Sequence, residues 1–161
     1  MTAVELEPAE PVALRPARSE DCEAIWRWNF APEVRAQSHR AEAVAFIEHA
    51  RWFARRLADG DAPIWVVEEY HHGVGVVRID PADHGPPGRA RSRISIALAA
   101  FARGRGIGRA AITAACRAWR RPIVAEIFAD NPASRACFEA CGFRAIASCD
   151  GIIYYHWDPE A

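Results

Sequence analysis

Arg103-Gly104-Arg105-Gly106-Ile107-Gly108-Arg109 places three of the chain's ten glycines within five positions. Upstream, Ile94-Ser95-Ile96-Ala97-Leu98 alternates in the manner of a strand. Downstream, Ile107, Ala111, Ala115, Cys116 and Trp119 recur at helical spacing until Pro122. A strand that feeds a glycine-rich turn and then a helix aims several free backbone N–H groups at one spot, where the helix dipole also favours an anion. Glycine lets the backbone approach a phosphate closely, and Arg103, Arg105 and Arg109 add positive charge. The stretch reads as a pyrophosphate cradle. It lacks the early strand and later acidic residue of a dinucleotide fingerprint and the Gly-Lys-Ser/Thr of an NTPase loop.

On either side of the cradle the pattern predicts a mixed sheet. Val12–Arg15 reads as a first strand, and Ser19 as the cap of a helix through Trp28 that ends before Pro32. A second helix is expected from Ala43 to Leu57, with Phe46, Ala50, Phe53 and Leu57 as its buried stripe. Ile64–Glu68 and Val74–Ile79 read as strands joined by a hairpin at Tyr70–Gly73. Asp83–Gly88 reads as a loop, and Ser92–Leu98 as the strand before the cradle. Ile123–Ile127 is a further strand, Asn131–Ala140 a helix with Pro132 in its first turn and Gly142 past its end, and Ala145–Ser148 and Ile152–Trp157 the final strands. The fold class is α/β (α+β): about six to seven strands flanked by about four helices. Residues 1–11 read as a tail and 12–161 as one domain.

At 161 residues, 51% hydrophobic and 25% charged, the chain has the size and composition of one ordinary globular domain. A net charge of −1 argues against nucleic acid as a partner, and no apolar run is long enough for a membrane span. The acidic, proline-containing start is unlike a secretory signal, so a cytoplasmic location is expected. The five cysteines, odd in number and without Cys-x-x-Cys spacing, read as reduced, packed thiols; no metal site is expected.

The cradle and a second segment, Asn131-Pro132-Ala133-Ser134-Arg135-Ala136-Cys137-Phe138-Glu139-Ala140-Cys141-Gly142-Phe143, together resemble the GCN5-related N-acetyltransferases. Arg103-x-x-Gly106-x-Gly108 is similar to that family's Arg/Gln-x-x-Gly-x-Gly/Ala signature, and Asn131-x-x-Ser134…Phe138…Gly142-Phe143 to its downstream Asn…Gly-Phe segment. The resemblance runs from about Leu14 to Trp157. It implies an acetyl-CoA-dependent N-acetyltransferase in which a neutral primary amine attacks the thioester directly. Backbone groups of Arg103, Gly104, Arg105, Gly106, Ile107, Gly108 and Arg109 would hold the coenzyme pyrophosphate. The backbone of Ile96, Ala97 and Leu98 would pair with the pantetheine arm, and Asn131, Ser134 and Phe138 would stand beside it, between strands splayed to admit acetyl-CoA.

Phe138 occupies the position where many relatives carry a tyrosine that protonates the departing thiolate. A thiol with a pKa of about 8.5 leaves with little help, and Tyr154 or Tyr155 could assist. The strand before the cradle offers Arg91, Arg93 and Ser95 where relatives often place a glutamate. Glu68, His49 and Asp80 are the candidate bases. A lysine-like amine with a pKa of about 10.4 costs roughly 4.6 kcal/mol to neutralise at pH 7, whereas one near 8 costs about 1.4 kcal/mol; the missing carboxylate thus favours a low-pKa amine.

The acceptor half, Trp26 to Leu57, together with Val74–Asp80, resembles the aminosugar-nucleotide acetyltransferases of the pseudaminic-acid pathway. Arg35, His49, Trp52 and Arg78 are the acceptor-site candidates, since arginine and tryptophan suit a pyrophosphate and a flat base. The chain departs from that branch at Trp28-Asn29-Phe30-Ala31-Pro32, where polar groups are replaced. Alternatives are an acceptor that is a protein N-terminus or ribosomal protein, and a non-catalytic acyl-CoA-binding module. The last strand's exposed character is compatible with a homodimer.

Overall fold

The computed structural model describes residues 11–38, 42–82 and 92–161. The tail at 1–10, the loop at Asp83–Gly88 and Arg91 lie outside the described residues. Seven strands form one sheet: β1 (Val12–Pro16), β2 (Ile64–Glu69), β3 (His72–Pro81), β4 (Ser92–Leu98), β5 (Ile123–Phe128), β6 (Arg144–Cys149) and β7 (Ile152–Trp157). Their order is β1-β2-β3-β4-β5-β7-β6. Ile152–Trp157, the last strand in the chain and read from the sequence as exposed, lies inside the sheet between β5 and β6, and β6 forms the exposed edge. All pairings are antiparallel except β4 with β5.

Five described helices accompany the sheet: α1 (Cys22–Asn29), α2 (Pro32–Ala36), α3 (Phe46–Asp59), α4 (Ile107–Trp119) and α5 (Pro132–Ala140). None is long and apolar enough to cross a membrane. The pleat divides the core. Val77, Ile79, Ile94, Ile123, Ala125, Ile127 and Tyr155 pack with α4 and α5 on one face. Val66, Val76 and Ala97 pack with Ile25 of α1 and Phe53 of α3 on the other.

Several local expectations change. Ser19 begins a 3-10 turn and does not cap a helix; Asp21 accepts the Arg18 backbone N–H at 2.7 Å and α1 starts at Cys22. Pro32 does more than follow a helix, since it opens α2. The second long helix starts at Phe46 rather than Ala43, because Trp26 Nε1 donates to Val44 O at 2.8 Å and the backbone of Ala45 is extended. Phe46 is 42% exposed, stacked edge-on against Trp26, and the buried positions of α3 are His49 and Phe53. Gly60, in the left-handed region at φ 66°, ends that helix.

Gly75 fixes the distance between β3 and β4. A Cβ there would stand 2.6 Å from Ala97 O and 2.6 Å from Leu98 Cδ2, so only glycine lets the strands meet at this register.

Candidate functional site

The parallel junction is the opening. β4 and β5 pair at Arg93↔Val124 and at no other position among the described residues, so the strands part from there toward Leu98 and Phe128. The edge of β4 from Ile94 to Leu98 that faces β5 therefore has no ladder partner, as the pantetheine expectation for Ile96, Ala97 and Leu98 requires. Arg103 Nε and Nη2 donate to Leu98 O at 3.2 and 2.8 Å, which occupies the last of these carbonyls.

The cradle lies at the wide end. Gly104 and Gly106 take φ values of 70° and 82°, a region glycine enters without strain, and a Cβ on either would meet nothing within 4 Å. Open space therefore borders the turn. The first α-helical bond of α4 is Ala110 N–H to Gly106 O, and no side chain caps the helix start, so the amides of Ile107, Gly108 and Arg109 remain for an anion. Ile107 itself is buried as an anchor. The guanidinium groups are not all aimed at the turn. Arg105 is paired with Glu69 at 2.6 and 3.1 Å, and Arg103 with Glu33 on α2 at 3.2 Å.

A family model described as the acetyltransferase (GNAT) domain matches residues 12–144. The chain belongs to that family. The GNAT fold accounts for the seven-stranded mixed sheet and its divergent middle. Solved structures agree on the fold. Spermidine N-acetyltransferase from Vibrio cholerae, in complex with CoA and spermine, has a TM-score of 0.78 at 18% identity, covering 91% of this chain and 95% of its own. Ribosomal-protein-alanine N-acetyltransferase from Brucella melitensis gives 0.73 at 22%, covering 91% and 99%. AAC(6')-Ib in complex with ribostamycin and coenzyme A gives 0.76 at 16%, covering 94% and 95%. A search of curated proteins finds no match.

Within this GNAT domain the face that carries α1 and α3 holds a row of polar side chains across the opening. Arg78 on β3 pairs with Ser95 on β4. Two residues past the Arg93↔Val124 junction, Ser95 faces Glu126 across the gap, and Glu126 pairs with Tyr154 on β7. Glu126, which the sequence reading missed, has a side chain 13% exposed and an oxygen 3.4 Å from Arg93 Nη1. Tyr154 is half-buried; burial, then the charges of Glu126, Cys149 and Asp150, push its phenol above the ordinary range, so it stays protonated at neutral pH.

The other candidates fare differently. Glu68 accepts Arg15 Nε at 2.7 Å on β2, two strands from β4, and is not brought to the opening. Asp80 lies in ion pairs with Arg56 and with Arg78 Nε at 2.7 Å. Burial raises its pKa, but the two guanidinium groups outweigh that and leave it below the ordinary carboxylate range, which suits an anchor better than a base. His49 is 2% exposed, ringed by Phe30, Phe46, Trp52 and Phe53, with Nε2 3.1 Å from Cys22 O. Burial, and secondarily the charge of Arg78, lower its pKa. The neutral ring donates to that carbonyl, so the structure places His49 inside the aromatic cluster of α1 and α3 with little surface to offer a ligand.

Arg35, Trp52 and Arg78 do come together. The Trp52 ring lies 5.4 Å from both the Arg56 and Arg78 guanidinium carbons. Arg35 stacks on Phe30 at 4.7 Å and donates from Nε to Asn29 O. Burial lowers its pKa, with Arg78's charge adding to the effect.

Asn131 Oδ1 caps α5 by accepting Ser134 N–H at 3.2 Å, and its amide nitrogen carries two further donors. Phe138, expected beside the coenzyme, is buried at 4% and packed edge-on against Phe143 at 5.0 Å. It is a core residue, and its aromatic character is explained by that contact. Among the described residues no group of three or more His, Cys, Asp or Glu side chains could hold a metal ion.

Proposed function

We propose that this acetyltransferase moves the acetyl group of acetyl-CoA to the primary amine of a small, anionic acceptor, a nucleotide-linked amino sugar, with Glu126 as the base and Tyr154 as the acid. The observation that carries the reading is the Arg78–Ser95–Glu126–Tyr154 row across the point where β4 and β5 part. The pyrophosphate would rest on the amides of Ile107–Arg109, and the arm would run along the open edge of β4 as an added strand. The acetyl carbon would then stand near Glu126.

Glu126 takes a proton from the ammonium, and the neutral nitrogen attacks the thioester carbonyl. The C–S bond breaks as the tetrahedral intermediate collapses, and the Tyr154 hydroxyl protonates the leaving thiolate. A carboxylate at this place removes the reason for confining the acceptor to low-pKa amines. The neighbouring structures carry names of polyamine, aminoglycoside and ribosomal-protein acetyltransferases. The amino-sugar nucleotide is favoured for this chain by Trp52 and Arg78 with Arg35 close by, a surface for stacking a base and pairing phosphate oxygens.

The test is thiol release from acetyl-CoA with nucleotide-linked amino sugars, free amino sugars, polyamines and peptides as acceptors. Turnover is expected with the nucleotide-linked sugars above all others. Turnover confined to peptides or polyamines refutes the acceptor assignment, and tight acetyl-CoA binding without turnover on any amine refutes the enzyme.

A further inference from the structure

On the acceptor side of the opening, one carboxylate is divided between two guanidinium groups. Asp80, next to last in β3, is 8% exposed. Its Oδ1 accepts Arg56 Nη1, and its Oδ2 accepts Arg78 Nε at 2.7 Å. Arg56, on α3, also donates from Nη2 to Ile79 O at 3.0 Å, so both of its terminal nitrogens are committed. Arg78 is held differently. Only its Nε meets the carboxylate, and among the described residues no protein group accepts a hydrogen bond from its Nη1 or Nη2. The Trp52 ring, 5.4 Å from the central carbon of each guanidinium, limits how either can turn.

Charge pairing alone does not account for this arrangement. A carboxylate and an arginine that serve only each other often meet fork to fork, through two parallel bonds. Asp80 instead gives one oxygen to each arginine. One carboxylate against two guanidinium groups leaves one positive charge over. The exposure puts it on Arg78, whose side chain is 28% exposed against 16% for Arg56. Arg78 lies on the face of β3 that carries Val76 and packs toward α1 and α3, and it stands opposite Ser95 in the row that crosses the opening. A guanidinium fixed at Nε, with both terminal nitrogens unbonded, is the shape that receives two oxygens of a phosphate or carboxylate.

We propose that Asp80 is a positioning residue for acceptor recognition: by fixing Arg78 through Nε, it presents the two terminal nitrogens as a set fork to an oxyanion of the acceptor. This role rests on the reading that the acceptor carries phosphate. Asp80 itself meets neither substrate. Arg56 occupies the other carboxylate oxygen and so keeps Asp80 from turning to take a second nitrogen of Arg78. Without the carboxylate, Arg78 keeps its charge but loses its fixed aim, and the order it must regain on binding weakens the complex.

Nucleoside diphosphates are the probe. UDP, GDP and CDP are titrated in turn by calorimetry into the full chain saturated with coenzyme A, so that the cradle is already filled. Asp80→Asn leaves two buried guanidinium groups without a counter-charge and endangers the fold. Asp80→Glu keeps the charge and moves it by one methylene, and a thermal melt checks that it is folded. Asp80→Glu and Arg78→Lys are each expected to weaken the tightest of the three diphosphates by about tenfold or more, with coenzyme A affinity unchanged. The double variant is expected to bind no more weakly than Arg78→Lys alone, because Asp80 acts through a fork that lysine lacks. Losses that multiply in the double variant, wild-type affinity in either single variant, or an equal fall in coenzyme A affinity overturns the positioning role and leaves the phosphate reading standing. Wild-type protein that binds none of the diphosphates overturns the phosphate reading, and the role of Asp80 with it.

Discussion

Glu126 and Tyr154 face each other across β5 and β7, and a single atom change tests their roles. Glu126→Gln keeps the shape and removes the proton acceptor. General-base contributions of about 10²–10⁴-fold set the expected fall in kcat, with the KM for acetyl-CoA little changed. Part of the loss should return at high pH, where the amine is already neutral; steady-state kinetics across pH would show it, and a pH-independent deficit would remove Glu126 from the proton path. The glycines of the cradle were readable before any fold was known, because a positive φ beside an open space is a local demand of the turn. Glu126 was not. In Ile123–Ile127 it is one polar residue in an apolar strand, and its importance comes from its level with Ser95, set by a parallel alignment across more than thirty residues.

Among the elements, α3 and the β3–β4 pair decide the shape of the opening. The stripe of α3 was legible at Phe53, which is buried, but not at His49 or Phe46. Helical periodicity places a residue on a face; which end of that face is roofed depends on Trp26 and Phe30 arriving from elsewhere in the chain. Gly75→Ala would press a methyl carbon against Ala97 O at a separation no real Cβ adopts. Overpacking of this kind costs about 1–3 kcal/mol, so chemical denaturation should report a loss in that range. Activity should fall further than stability, because β4 moves with the relief of the clash. Wild-type kcat in the folded variant would show that the β3–β4 spacing does not set the opening.

For the whole molecule, His49 ties stability to pH. Its folded pKa lies below the ordinary value of 6.5, so below that pH the unfolded chain binds the extra proton. Stability is therefore full above about pH 6.5 and declines as the solution is acidified toward the lowered folded value, with a slope bounded by one proton, about 1.4 kcal/mol per pH unit. Thermal melts at pH 7.5 and 5.5 should show the decline in the wild type and a smaller one in His49→Gln, which can keep a donor near Cys22 O. Equal declines in both would place the titrating group elsewhere. Burial of an imidazole among four rings is a tertiary fact that no local pattern announces.

The lone Arg93↔Val124 pair has a mechanical meaning. The sheet is two slabs, β1–β4 and β5-β7-β6, joined at one end like the covers of a book, and α4 crosses from one slab to the other. A ligand lying between the covers acts as an inserted page that spans the unpaired edge. If acetyl-CoA lies there as proposed, the two slabs would resist shear together, and hydrogen exchange in β4 and β5 would slow when the coenzyme is bound.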